Sequence, residues 1–212
     1  MSNHPNGLIH NEVADYYTAK LAEHGESPLG VDWNGAEGQI LRFRQLCRVI
    51  DPVKAFSVND LGCGYGAMFD YLAVEYAQFT YCGIDVSDSM VLAAQARYCD
   101  RTNARFLCAS TPDTEADYGI ASGIFNVRQR RSSNEWFDYI VGTLDVLNQT
   151  SHKGFAFNCL TSYSDVNRMR DYLYYADPGQ MFDFCKRRYA RNVALLHDYD
   201  LFEFTILVRK SA

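Results

Sequence analysis

No apolar run in this sequence approaches the ~20 residues that cross a bilayer, so no membrane-spanning helix is expected. Proline is scarce, at five residues, and there is no low-complexity linker and no internal repeat. That leaves one large domain, or one domain with a cap, for a chain of 212 residues. The seven cysteines are odd in number, widely spaced and without a CxxC pair. Such a pattern fits reduced, mostly buried thiols rather than a disulfide scaffold or a zinc site. The five histidines form no HxxxH or HExxH pair, so no metal site built from neighbouring ligands is expected. Basic residues are also outnumbered, 20 Lys and Arg against 26 Asp and Glu, for a net charge of −6. This argues against nucleic acid as a partner, because phosphate binding needs a concentrated basic face. The one basic cluster, Arg128–Arg131, is short and reads as a solvated loop. Met1–His10 is polar, contains Pro5 and Gly7, and does not read as a secretory signal, so a cytoplasmic protein is expected.

What is present is the composition of a globular protein, 48% apolar and 22% charged. A polar helix is expected over Asn11–Leu21, followed by a loop with glycine and proline from His24 to Trp33. Asn34 with Glu37 reads as a capping box for a helix carrying Ile40, Leu41, Phe43, Leu46, Cys47, Val49 and Ile50. From residue 56 short apolar runs alternate with helical patterns. Strands are expected at Phe56–Leu61, Phe79–Ile84, Ala104–Cys108, Tyr118–Phe125 and Phe155–Leu160. Helices are expected at Ala67–Tyr76, from a Ser87 cap to Tyr98, and after a Ser132/Glu135 capping box. Alternation of this kind means a parallel sheet covered on both faces. The last third departs from it. After a helix opened by Asp177–Pro178, strands at Val193–His197 and Leu201–Arg209 are separated by three residues only. No crossover helix fits in three residues, so the two strands are antiparallel if they pair. Phe202 and Phe204 alternate with Glu203 and Thr205, which predicts one face more buried than the other.

The chemistry-bearing stretch is Asp60-Leu-Gly-Cys-Gly-Tyr-Gly66, where the first strand turns into a helix. Glycines there permit a tight turn and let a ligand lie against the backbone, and the helix start offers free N–H groups. Asp85, at the end of the next strand, is placed to accept from both hydroxyls of a ribose. Gly62, Gly64 and Ala67 also fit the glycine pattern of nicotinamide-dinucleotide enzymes, which leaves an oxidoreductase as one alternative. Two features weigh against it. Asp60 is unwelcome beside a pyrophosphate but suits a cationic ligand, and a terminal hairpin is foreign to the six-strand dinucleotide order.

With Gly83-Ile-Asp85-Val-Ser87-Asp-Ser-Met90 added to the glycine loop, residues 45–210 resemble the class I S-adenosylmethionine-dependent methyltransferases. The resemblance implies a Rossmann-like, seven-stranded, mostly parallel α/β sheet with a final antiparallel hairpin, here with an N-terminal helical extension. Residues 1–52 would form a cap and 53–212 the cofactor-binding domain. It further implies S-adenosyl-L-methionine as cofactor, with Gly62, Cys63, Gly64 and Gly66 lining its methionine part. Asp60 would hold its ammonium, Asp85 its ribose, and Val86 and Met90 its adenine. Family members often carry an aspartate after the third strand for the adenine amino group, and here Phe106-Leu-Cys-Ala-Ser110 stands in its place. Ser110, Asp113, Asp117 or a backbone carbonyl are the substitutes available. The transfer would be direct and in-line, to a small-molecule acceptor, and no sequence-local catalytic constellation is required.

Because ligands lie at the carboxyl ends of parallel strands, Ser122–Asn126 should face the transferring methyl group, with Asn126 a candidate substrate contact. Tyr16, Tyr17 and Trp33 are candidates from the N-terminal segment, as aromatics that close over a ligand. His152, His197 and the Tyr172-Leu-Tyr174-Tyr175 stretch are weaker candidates. Cys63, at a helix start that would depress its pKa, has no histidine placed to serve it. A non-catalytic cofactor-binding protein of the same fold is the other alternative.

Overall fold

The computed structural model describes residues 6–33 and 35–211. Five strands run parallel in the order β3-β2-β1-β4-β5: β1 (Phe56–Leu61), β2 (Phe79–Asp85), β3 (Ala104–Cys108), β4 (Ala116–Ala121) and β5 (Ser151–Thr161). Two more continue the sheet, β8 (Glu203–Arg209) beside β5 and β7 (Asn192–Leu196) at the edge, both pairs antiparallel. The terminal hairpin is therefore as expected. An eighth strand of two residues, β6 (Tyr175–Ala176), pairs parallel with β5 and was not legible in the sequence.

The chain leaves β1 toward β2 and β3, then returns to the other side of β1 for β4. That reversal opens a crevice between the carboxyl ends of β1 and β4. Helices α2 (Ala36–Leu46), α3 (Ala67–Glu75) and α4 (Asp88–Arg97) pack on one face of the sheet through Phe43, Leu46, Phe69, Leu72 and Val91. Helices α5 (Ser133–Gln149) and α6 (Pro178–Arg188) pack on the other through Trp136, Ile140, Leu144, Met181 and Cys185. Each such fully buried side chain contributes roughly 1.5–3 kcal/mol. α1 (Asn6–His24) lays Ile9 and Val13 against this second core at the carboxyl end of the strands.

Several boundaries differ from expectation. β4 stops at Ala121 rather than Phe125, because Gly123 turns the chain with φ 78°. No helix joins β3 to β4 among the described residues, so the coverage of that face is incomplete, and polar residues such as Asn59, Thr80 and Arg105 line a shallow groove there. β8 is buried on both faces, because Leu207 packs in the core under α2 and α3 while Phe204, Ile206 and Val208 pack in the core under α5 and α6. The capping boxes divide: Ser132 and Glu135 form theirs. Asn34 lies outside the described residues, and α2 starts after Gly35 without a side-chain cap. α2 and the turn after it share the core of β1 and α3, so no gap in packing marks residue 52.

Candidate cofactor cleft

The loop after β1 is tied down by backbone bonds. Gly62 and Cys63 N–H both donate to the carbonyl of Ile84, at 2.7 and 3.1 Å, which holds the loop to the end of β2. Gly62, Gly64 and Gly66 all have positive φ, at 78°, 55° and 87°. The Asp85 carboxylate accepts from Gly64 N–H (2.8 Å) and Ser87 N–H (2.9 Å), while Ser87 caps α4. One side chain thus sets both the glycine loop and the start of the next helix. Burial raises the Asp85 pKa, opposed by those backbone hydrogen bonds.

Asp60 sits deeper. Tyr81 Oη donates to its Oδ2 at 2.6 Å, and its Oδ1 is buried without a partner among the described residues. Burial pushes its carboxyl up to about 7, the Tyr81 hydrogen bond opposing and Asp85 adding to the rise. A buried carboxylate oxygen aimed into a cavity with nothing to accept from is costly unless a donor arrives. Ser122 Oγ is orphaned in the same way.

One cavity, with about 910 Å³ of free space including its mouth, joins these groups. Of the ten expected cofactor residues, Asp60, Gly62, Cys63, Gly64, Asp85, Val86, Met90, Ser110 and Ser122 line it. Gly66 does not. A Cβ there would press on Tyr98 (2.7 Å) and Phe106 (3.0 Å), so this glycine serves the packing of α3 on the sheet. The Cys63 thiol is pushed well above its ordinary pKa by burial, with Asp85 and Asp60 adding to the rise, which is opposite to the expected activation.

The roof comes from the N-terminal segment. Tyr17 and Trp33, two of the candidate substrate contacts, line the cavity. Val31 rests on the glycine loop, where a Cβ at Gly64 would come within 2.9 Å of it. The Trp33 ring lies so close to Gly123 that any Cβ at that position would overlap it. Tyr16 stands outside the cavity and donates to Asp32 Oδ2 at 2.8 Å. Asn126 is buried outside it too, its Oδ1 accepting from Leu160 N–H at 3.1 Å, a bond that fixes the loop after β4. Sequence reasoning missed His10, Val13, Gln39, Tyr139 and Thr143 in the lining. His10, Val13 and Tyr17 follow helical spacing on one face of α1, a signal that starting the helix at Asn11 cut short.

Behind the roof runs a buried chain of polar contacts. The Arg42 guanidinium stacks 3.8 Å from the Trp33 ring centroid and forks onto Glu203 at 2.5–2.9 Å. Asn158 Nδ2 donates to Glu203 at 2.5 Å, and its Oδ1 accepts from Gly123 N–H at 2.7 Å. The remaining candidates lie elsewhere. His152 is exposed at the opposite end of the sheet beside Glu115 (3.3 Å), and His197 packs between Tyr163 and Phe204. Within the basic cluster, Arg131 pairs with Glu12 of α1 and Arg128 donates to the carbonyls of Leu173 and Asp171.

Residues 58–151 match the profile of a family described as "Methyltransferase domain". A Mycobacterium tuberculosis protein named "Putative methyltransferase Rv1506c" is 59% identical over 165 residues, which is 78% of this chain and 99% of that protein. The chain belongs to the methyltransferase family. The fold of this methyltransferase is shared by solved structures of low identity. The complex of DhpI with SAH aligns with TM-score 0.66 and 12% identity over 96% of this chain and 97% of that one. The N-methyltransferase NodS from Bradyrhizobium japonicum WM9, also with S-adenosyl-L-homocysteine, gives 0.65 and 13% over 94% and 99%.

Proposed function

We propose that this protein uses S-adenosyl-L-methionine to methylate a small-molecule acceptor. The observation that carries the reading is the pair of buried carboxylates on one glycine-floored cavity, Asp60 with an unpartnered oxygen and Asp85 at the end of β2. Asp60 suits an ammonium group, and Asp85 suits the hydroxyls of a ribose, which is the order of groups along this cofactor. Gly62, Cys63 and Gly64 line its methionine part, Val86 and Met90 flank the adenine, and Ser122 faces the reacting end. When bound, the cofactor supplies a methyl group on a sulfonium centre. A dinucleotide is disfavoured, because its pyrophosphate would meet the Asp60 carboxylate in a buried site.

The chain's own part is to hold, align and exclude water. Residues 1–52 act as a cap and 53–212 as the methyltransferase domain. Within the cap, α2 is anchored in the core, and the segment ending at Trp33 is the part that closes. Tyr17 and Trp33 are its acceptor contacts, with Tyr16 and Asn126 holding neighbouring loops. A roofed cavity supports a small acceptor over a macromolecular one. The unbridged cysteines support a reducing compartment, the cytoplasm.

The reading is tested by calorimetric titration with S-adenosylhomocysteine and with NAD, followed by mass spectrometry of products from a panel of small nucleophiles. Binding of the first but not the second, with methylation of at least one acceptor, is expected. Binding of NAD alone would refute the cofactor. Cofactor binding with no turnover on any acceptor would instead favour a non-catalytic binding protein.

A further inference from the structure

We propose that His10, on the N-terminal helix, reads the amino edge of the adenine in place of a carboxylate on the loop after β3. This rests on the cofactor reading above. Asp60 and Asp85 give the bound molecule a direction, ammonium at the first and ribose at the second, so the base lies beyond Asp85.

The path of α1 carries His10 away from the ammonium end. Thr18 meets Ser87 through their hydroxyl oxygens (2.9 Å), two residues from Asp85. Going forward from there, the chain reaches Val31, which lies on Gly64 toward the ammonium end. Going backward, His10 lies eight residues before Thr18, roughly 12 Å along the helix axis. There it meets α5, its imidazole edge-on to Tyr139 at 5.8 Å between ring centroids. His10 and Tyr139 line the same cavity as Ala109 and Ser110, which follow β3.

Among side chains, the alternatives for the amino group are engaged or poorly suited. Asp113 is forked onto Arg105 at 2.6 and 2.8 Å, and Asp117 is held by Lys153 (3.0 Å) and Ser57 N–H (3.0 Å). Neither lines the cavity. Thr143 Oγ1 already donates to the Tyr139 carbonyl at 2.9 Å. Ser110 is exposed at the rim. Burial lowers the His10 pKa below its ordinary 6.5, which keeps the ring neutral at pH 7. A neutral imidazole has one nitrogen lone pair to accept the amino N–H, and an imidazolium has none. The contact with Tyr139 fixes the plane in which that lone pair lies.

The test compares S-adenosylhomocysteine with S-inosylhomocysteine, in which an oxygen replaces the amino group, by calorimetry on the full chain. The wild type should prefer the adenosine form by about tenfold, the scale of one buried hydrogen bond gained or left unpaired. His10→Ala should lose about tenfold in affinity for the adenosine form and lose the preference. His10→Gln, whose amide oxygen still accepts, should recover most of it, and Ser110→Ala should leave it intact. Preference retained in His10→Ala, or abolished in Ser110→Ala, overturns the assignment while leaving the cofactor reading standing. A wild type that binds neither compound overturns both.

Discussion

The floor of the cleft and its roof lie face to face but are held by different forces. In the floor, Gly62 and Cys63 bond to the Ile84 carbonyl, and Asp85 takes the N–H groups of Gly64 and Ser87. These contacts all engage backbone N–H groups at the ends of paired strands, and of side chains they use Asp85. In the roof, Tyr16 and Lys20 meet Asp32 (2.8 and 3.0 Å), Arg131 meets Glu12, and Arg97 meets Glu26 (3.1 Å). Those are side-chain pairs at the surface, each worth little on its own. The arrangement suits a site whose floor must be preformed and whose roof must let ligands pass. Between them stands the buried set Trp33, Arg42, Glu203 and Asn158, a strong polar tie of the roof to the sheet.

Breaking that tie should have the largest effect. Glu203→Ala leaves the Arg42 guanidinium, only 11% exposed, without its counter-charge and removes a partner of Asn158. Loss of one member of a buried ion pair costs about 3–5 kcal/mol, or a melting temperature lower by roughly 6–20 °C for a chain of this size. Scanning calorimetry checks the stability. A fall in Trp33 order, read by its fluorescence, checks the tie to the roof. An unchanged melting temperature would show that the pair carries no net stability.

Asp85→Ala attacks the floor next. It removes the acceptor of two backbone N–H groups and the expected acceptor of the ribose hydroxyls. S-adenosylhomocysteine affinity should fall by tenfold to a hundredfold, or about 1.5–3 kcal/mol. Titration calorimetry measures it, and unchanged affinity would remove Asp85 from the cofactor site.

The same contrast explains what the sequence disclosed. β1, β3, the Ser87 cap, the Ser132/Glu135 capping box and the Asp177–Pro178 helix start are local devices, and each appears where it was read. The glycine loop and Asp85 were legible for the same reason, since each lies at the end of its own strand. The roof was legible only as a supply of aromatics. Which of them enter the cavity depends on partners far along the chain: Tyr16 turns out to Asp32, Tyr17 turns in, and Trp33 is fixed by Arg42 and Gly123. Glu203 looked like the exposed phase of an alternating strand, and is buried because Arg42 of α2 and Asn158 of β5 cover its carboxylate. No pattern within β8 carries that information.

Asp60 gives a middle-sized effect that separates floor from roof by pH. Its carboxyl is held near 7, against an ordinary value of 3.8, chiefly by burial. Between those values the folded protein keeps a proton that the unfolded chain has lost, so this group makes the free protein less stable as pH rises through that window. An ammonium bound beside it favours the carboxylate, so binding releases the proton below pH 7. Affinity for S-adenosylhomocysteine should be about tenfold weaker at pH 6 than at pH 8. Calorimetry in buffers of different ionisation enthalpy should detect the released proton. Asp60→Asn should flatten the profile and abolish the release, and a slope that survives that substitution belongs to another group.

The smallest expected effect is at the outer latch of the roof. Arg131 forks onto Glu12 at 2.6 and 3.1 Å, and Gln129 Nε2 donates to the Glu12 carbonyl at 3.3 Å. The pair is largely solvated, with side chains 23% and 46% exposed, so Arg131→Ala should change global stability by less than about 1 kcal/mol. The local consequence should differ, because opening α1 loses the packing of Ile9, Val13 and His10 but breaks no strand pairing, so a small change weighs more there than in the global transition. Loss of even about 0.5 kcal/mol there more than doubles the open population. Amides in the middle of α1 should therefore exchange two- to threefold faster in Arg131→Ala, while those of β1 and β4 keep their wild-type rates. Added salt should produce the same acceleration in the wild type and little further in the variant, since screening removes the same interaction. If α1 and β1 respond alike, the roof does not open separately from the floor, and the division between the two regions does not describe the motion of this protein.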